Sequence, residues 1–369
     1  MLYTIKILLN QPTRLCLTVI GISLCMILML FLFGIYKGVA DGSVEYIREN
    51  KVDLWILQRN STNILRGTSI LSAYQKERIE MNENVQEASP VLLLLTTVKN
   101  SDKRSTIFLA GYDTETGLGA PPKLIIGKNV SADNEIVLDN SFALNNGFDV
   151  GDKLVILDDT LKVTGISSGT NAFVIQYAFT TLAEAQSLLG FPGIVTCYLV
   201  KTKEGSDLNK TSEELKSLIS GTAVYSHNEF LGNNIKEMES GFLPILYAVA
   251  SLGAIVLTTV LSLILSINIL ERKKDFAVMK ILGAPSVFLP KLIIQQAILI
   301  SLVSGVLSVM LYFPLVEIIE TLSPEVSTIT TPFQIMIVLT VGLLMGMLSS
   351  IIAFSRLRRI YPLEVFYER

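Results

Sequence analysis

Residues 271–284 read Glu271-Arg272-Lys273-Lys274-Asp275-Phe276-Ala277-Val278-Met279-Lys280-Ile281-Leu282-Gly283-Ala284, wedged between two long apolar runs. The charges of the first half forbid burial in hydrocarbon, where one charged side chain costs ~3 kcal/mol or more. Phe276, Met279, Ile281 and Leu282 are too apolar for a merely solvated link. The stretch therefore reads as a short amphipathic helix in a loop of a membrane protein. Gly283 is a permissive C-terminal cap, and Pro285 blocks regular continuation.

Composition agrees with a membrane protein. The chain has 369 residues, of which 50% are apolar and 17% charged, and its mean hydropathy is +0.52. Soluble domains rarely reach that balance. The net charge of −3 conceals a separation, with basic residues beside apolar runs and the acidic excess between them. Nucleic acid is thus excluded as an expected partner. Cys16, Cys25 and Cys197 form no disulfide or metal spacing, and a single histidine, His227, argues against the usual metal and triad chemistries and reads as a surface or junction residue.

Working outward, residues 241–270 and 292–316 flank the loop at 271–291 as transmembrane helices, 333–355 is another, and 15–38 is the first. An uncharged run at 15–36 covers ~33 Å as helix, enough for a ~30 Å hydrocarbon core. Gly38-Val39-Ala40 imitates a signal-peptide cleavage site, but the apolar run is too long for a signal. Residues 1–14 suit a short amphipathic helix on the inner face. Arg272, Lys273, Lys274, Lys280 and Lys291 in the loop, and Arg356, Arg358 and Arg359 in the tail at 356–369, contrast with the acidic link at 317–332. The positive-inside rule then places the loop and both termini in the cytoplasm. The expected fold is an α-helical membrane protein with four transmembrane helices and a large extracytoplasmic mixed α/β domain, residues 39–240, inserted between helices 1 and 2.

Within that domain, strands are expected at 52–59, 136–138, 153–157, 161–166 and 194–200, and a hairpin at 88–99 and 104–112. Helices are expected at 71–81, before Gly147, after a Thr181/Glu184 capping box and at 207–220. Asp158-Asp159 reads as a turn rather than an acid/base pair. Leu231, Ile235, Met238 and Phe242 recur on one helical face, so the second transmembrane helix is expected to extend outward as a stalk, with Gly241 and Pro244 permitting a bend. A broken surface helix before a tilted span is the competing reading.

The Glu-Arg, acidic, aliphatic-basic and Leu-Gly-Ala pieces of 271–284 resemble the cytoplasmic loop of MacB/FtsX/LolE-type ABC transporter permeases. The pieces Asn-Glu-Ile-Val-Leu at 134–138 and Val-Gly-Asp-Lys-Leu at 150–154 look like the extracytoplasmic domain of MacB-type members. The resemblance implies that Glu271, Arg272, Lys273, Lys274, Asp275, Phe276, Met279, Lys280, Leu282 and Gly283 couple to a separate ABC ATPase subunit. The chain contains no Gly-x-x-x-x-Gly-Lys-Ser/Thr loop, so no bound cofactor is expected in it. ATP and Mg²⁺ belong to the partner, and the chain itself is a transport subunit rather than an enzyme.

Ala250, Ala254, Thr258, Ser262 and Ser266 form a small-residue stripe on the second span, and Ser301/Gly305 and Gly342/Gly346 repeat the spacing. Such stripes let helices approach closely, within one subunit or across a seam. The resemblance implies two copies, which favours a dimer seam for the second span, homodimeric or heterodimeric. It also implies mechanotransmission, with export or release of an amphiphilic cargo such as a lipoprotein, lipid, drug or peptide, and a location in the cytoplasmic (inner) membrane. A periplasmic adaptor and an outer-membrane channel would extend the assembly. A membrane sensor whose external domain binds a ligand or activates an envelope partner is the alternative, weakened by the shortness of the cytoplasmic segments.

Overall fold

A computed structural model describes residues 12–64, 67–100, 103–157, 159–171, 175–271, 278, 285, 288–324 and 326–357. The chain opens with helix α1 (Pro12–Glu49), strands β1 (Leu54–Gln58) and β2 (Leu71–Ser72), a 3-10 turn at Ala73–Gln75 and helix α2 (Lys76–Glu80). Strands β3 (Val85–Asn100), β4 (Lys103–Tyr112), β5 (Lys123–Gly127) and β6 (Glu135–Asp139) precede helix α3 (Asn140–Asn146). Strands β7 (Lys153–Ile156), β8 (Asp159–Ser168) and β9 (Gln176–Thr181) lead to helix α4 (Leu182–Leu189). Then come β10 (Ile194–Val195), β11 (Cys197–Thr202), α5 (Leu208–Leu218), β12 (Thr222–Ser226), and the long helices α6 (His227–Glu271), α7 (Phe288–Leu322) and α8 (Pro332–Leu357).

Two compact units divide the chain. The first contains Met1–Tyr36, Leu243–Ile319 and Thr328–Arg369. Among the described residues, four helices are long and apolar enough to cross a membrane, over Leu15–Glu49, Leu243–Ile267, Pro290–Leu322 and Pro332–Ile352. Their shared core joins Ile22, Met26 and Leu30 of α1, Leu257, Leu261 and Leu265 of α6, Ala297, Ile300 and Tyr312 of α7 and Val338 of α8. Side chains also satisfy backbone groups between helices, since Ser23 Oγ donates to the Ser304 carbonyl at 3.0 Å and Ser349 Oγ to the Thr258 carbonyl at 2.8 Å. Helix α8 starts with a reciprocal capping box. Gln334 N–H donates to Thr331 Oγ1 at 3.3 Å, and Thr331 N–H to Gln334 Oε1 at 2.8 Å. Pro332 occupies the first helical position, where its missing N–H costs nothing.

The second unit, Lys37–Phe242 with Glu320–Ser327, is a mixed α/β domain. Its ten-stranded sheet runs β12-β1-β11-β3-β4-β9-β6-β8-β5, with β7 pairing β3 and β8. The β4/β9 and β6/β8 pairs are parallel and the other pairs antiparallel. Strand β1 shows why it is central. Leu54 and Ile56 face a core with Leu215 and Val224, while Trp55 and Leu57 face another with Tyr46 and Phe230. Burial on both faces explains its unbroken apolar run.

Several expectations need correction. The 71–81 helix is replaced by β2, a 3-10 turn and a short α2. Leu71 and Ser72 pair with Val195 and Ile194, and Ser72 Oγ accepts from Tyr74 N–H at 3.4 Å, which favours a turn over a helix there. The Thr181/Glu184 pair is half a capping box. Thr181 Oγ1 accepts from Glu184 N–H at 3.1 Å, but the Glu184 carboxylate accepts from Asn134 N–H at 3.0 Å. Strands β5, β9 and β12 had no counterpart in the sequence reading. Helix α7 runs through Pro314 to Leu322, so Glu317 and Glu320 are helical rather than part of a 317–332 link. Asp159 opens β8, and its neighbour 158 lies outside the described residues.

Candidate functional site

Both helices that carry the chain into and out of the α/β unit bury side chains in one core. From α1, Tyr46 and Ile47 are fully buried, and the Tyr46 ring stacks on Tyr177 at 5.1 Å. Tyr46 Oη donates to the Gly119 carbonyl at 3.2 Å, while Asn50 Oδ1 accepts from Gly119 N–H at 2.9 Å. Gly119 sits at φ +91° and its missing Cβ would lie 2.7 Å from Val91, so a larger residue would spoil this clamp.

From α6, Phe230 is fully buried and stacks on Trp55 with ring centroids 4.8 Å apart. Asn234, also fully buried, accepts from Ile64 N–H at 3.0 Å and donates to the Phe230 carbonyl at 2.8 Å. Trp55 Nε1 donates to His227 Nδ1 at 3.5 Å, and His227 N–H donates to the Asp53 carbonyl at 2.9 Å. Burial pushes the His227 imidazole below its usual pKa, against the opposing pull of Asp53. Burial thus favours the neutral form, whose unprotonated nitrogen can accept the indole N–H. Ser43 Oγ of α1 donates to Met238 Sδ of α6 at 3.4 Å, so the two helices also touch each other inside this unit. Both helices thus share one packed core.

The stalk residues of the sequence reading divide accordingly. Leu231 packs on the core with Trp55 and Phe230, Met238 meets Ser43, Ile235 is half-buried, and Phe242 lies on the same helix. Phe230 and Asn234, the residues that root the helix, were missed. They precede Leu231 and Ile235 by one position, and the polarity of Asn234 hid the buried face.

In the membrane-type unit, Thr258 Oγ1 donates to the Ala254 carbonyl at 2.8 Å and approaches Met345 Sδ at 3.2 Å. Ser262 and Ser266 are buried within the chain, and Ala250 and Ala254 are half-buried. Thr258, Ser262 and Ser266 thus serve packing inside this subunit. Gly346 faces Ser301, its missing Cβ lying 2.3 Å from Ser301 Oγ. Of the coupling stretch, Glu271 ends α6, whereas Arg272, Lys273, Lys274, Asp275, Phe276, Met279, Lys280, Leu282 and Gly283 lie outside the described residues, as do residues 1–11 and 358–369.

A rooted pair of helices, a mixed α/β insert and a four-helix membrane unit together define a multi-pass membrane protein built around an inserted domain. Comparison with known families gives the class. The MacB-like periplasmic core domain matches residues 15–218, and the FtsX-like permease C-terminal domain matches residues 241–362. The chain belongs to the MacB/FtsX type of ABC transporter permease. It is 22% identical to the "Putative hemin transport system permease protein HrtB" of Staphylococcus haemolyticus, with 91% of each chain covered. An uncharacterised ABC transporter permease of Mycobacterium tuberculosis H37Rv is also 22% identical, with 96% of each chain covered. The periplasmic region of MacB from Actinobacillus actinomycetemcomitans aligns with a TM-score of 0.41 at 15% identity, over 49% of this chain and 92% of that one.

Proposed function

We propose that this permease transmits work done by a separate ATPase subunit to its α/β domain, in order to expel or release an amphiphilic cargo. The observation that carries this reading is helix α6. Its first turns are packed into the α/β core through Phe230 and Asn234, and its last residue, Glu271, opens the amphipathic coupling stretch. It is one 45-residue helix, with Pro244 inside it. Displacement at one end is delivered to the other without a continuous pore. The ATPase holds ATP and Mg²⁺, the loop and both termini face the cytoplasm, and two permease copies work together. The name given to the staphylococcal relative makes hemin, a planar amphiphile, the first cargo to try.

The test is purification of the permease with its cognate ABC ATPase, reconstituted in lipid nanodiscs. Hemin, or another amphiphile from a panel of lipids and lipopeptides, should stimulate hydrolysis. Met279→Asp and Leu282→Asp should abolish ATPase association while membrane insertion persists, because a charge on the apolar face cannot enter the partner's cleft. Unchanged co-purification of the ATPase with both variants refutes the coupling role.

A further inference from the structure

The ten-stranded sheet has two edges, β5 and β12, and they differ in kind. Edge β5 carries a register break between Leu124 and Ile126, and exposed Lys123 and Lys128 flank it. Bulges and lysines are the usual protection against unwanted pairing. Edge β12, Thr222-Ala223-Val224-Tyr225-Ser226, has none of these devices. It pairs with β1 in unbroken register from Leu54↔Ser226 to Gln58↔Thr222, and it contains neither proline nor charge.

The hydrogen-bond phase of this ladder follows from its ends. Arg59 N–H donates to the Gly221 carbonyl and His227 N–H to the Asp53 carbonyl, which makes 59/221 and 53/227 bonded pairs. By alternation Ala223 and Tyr225 point their backbone groups at β1, while Thr222, Val224 and Ser226 point theirs away from the sheet. That open side is a groove of about 740 Å³ between the α5 residues Asn209, Ser212, Glu213 and Lys216 and the turn Arg59–Thr62. All five residues of β12 line it, over the ~17 Å that a five-residue strand spans.

Charge sets the direction. Lys216 is paired with Glu213 at 2.8 Å. Arg59, beside the Thr222 end, and Glu229, just past the Ser226 end, have no ion-pair partner among the described residues. We propose that β12 is a strand-pairing site for an extended segment of a partner protein, about five residues long, acidic where it meets Arg59 and basic where it meets Glu229. Alternate backbone groups of that segment would bond Thr222, Val224 and the N–H of Ser226, whose carbonyl is taken by the first turn of α6, as in other strand-addition complexes. The pairing goes beyond the transport reading and does not depend on it.

The test uses the full chain in its native membrane, with a photo-crosslinking benzoylphenylalanine at Asn209 as the probe. The expected result is a discrete adduct to another protein, with the cross-link mapping to one short segment of the stated charge pattern. Val224→Pro removes an outward N–H that β1 does not use. It should reduce the adduct at least tenfold, whereas Val224→Ala, which keeps that N–H, should not. Arg59→Glu should reduce the adduct severalfold even if the proline variant folds poorly. An adduct to a second copy of this chain, to lipid alone, or to nothing overturns the proposal, and so does an adduct that survives both Val224→Pro and Arg59→Glu.

Discussion

Replacing Phe230 by alanine tests whether helix α6 is rooted in the α/β core. The side chain is fully buried against Trp55 and Tyr225, so its removal should cost ~3–5 kcal/mol. For a unit of about 200 residues, each kcal/mol lowers the midpoint by ~2–4 °C, which gives ~6–20 °C in all. Trp55 is the only tryptophan in the sequence, so tryptophan-selective fluorescence of the full chain in detergent reports this junction alone. The variant should show a red-shifted emission and the lowered midpoint. Phe230→Leu, which nearly conserves volume, should lose under ~1.5 kcal/mol and therefore no more than ~6 °C. A shift below ~3 °C with unchanged emission would refute the rooting of the helix. If the root carries the load, Phe230→Ala should also leave ATP hydrolysis intact while export falls.

Asn234→Ala strands the Ile64 N–H that it satisfies at 3.0 Å. Because Ile64 is itself buried, the loss should be ~1–3 kcal/mol, read by the same Trp55 transition. Burial raises the Asp139 carboxyl above the ordinary range, only partly offset by donation from Ser141 N–H and Thr170 Oγ1. The folded state therefore holds this proton more tightly than the unfolded chain. Stability from this group falls as pH rises from its unfolded value of ~3.9 through the raised folded value. Asp139→Asn should flatten that slope, and an unchanged pH profile above about 4 would sink the assignment. Gly346→Leu should force α7 and α8 apart, because even a Cβ would lie 2.3 Å from Ser301 Oγ. The expected cost is ~1–3 kcal/mol or more, seen as earlier thermal aggregation in detergent. Gly21→Ala, where a Cβ meets nothing within 4 Å, should leave the midpoint unchanged or slightly raised.

Much of the architecture was legible without coordinates because hydrophobic length and charge bias act locally. A run of apolar residues long enough for the bilayer, with lysine and arginine at one side, needs no knowledge of distant contacts. The helix end at Gly147 was equally local, and the structure shows that glycine as the C-cap; Asp207, expected inside a helix at 207–220, caps Leu208–Leu218 instead. Strand β9 was not, since its six buried residues owe their strand state to β4 and β6, which are remote in sequence. Leu71–Ser72 likewise took strand form from Val195 and Ile194.

What the amino-acid order alone determined, then, was the class: four lipid-length helices and a polar insert after the first. The tertiary structure decided which residues hold the insert to its helices and which strand edge is left open. Phe230 and Asn234 look ordinary in sequence. They matter only because β1 brings Trp55 within 4.8 Å of one and the loop after it brings Ile64 within 3.0 Å of the other. The openness of β12 likewise exists only once β1 has taken one of its two sides, because strand pairing is a non-local interaction that no window of sequence contains.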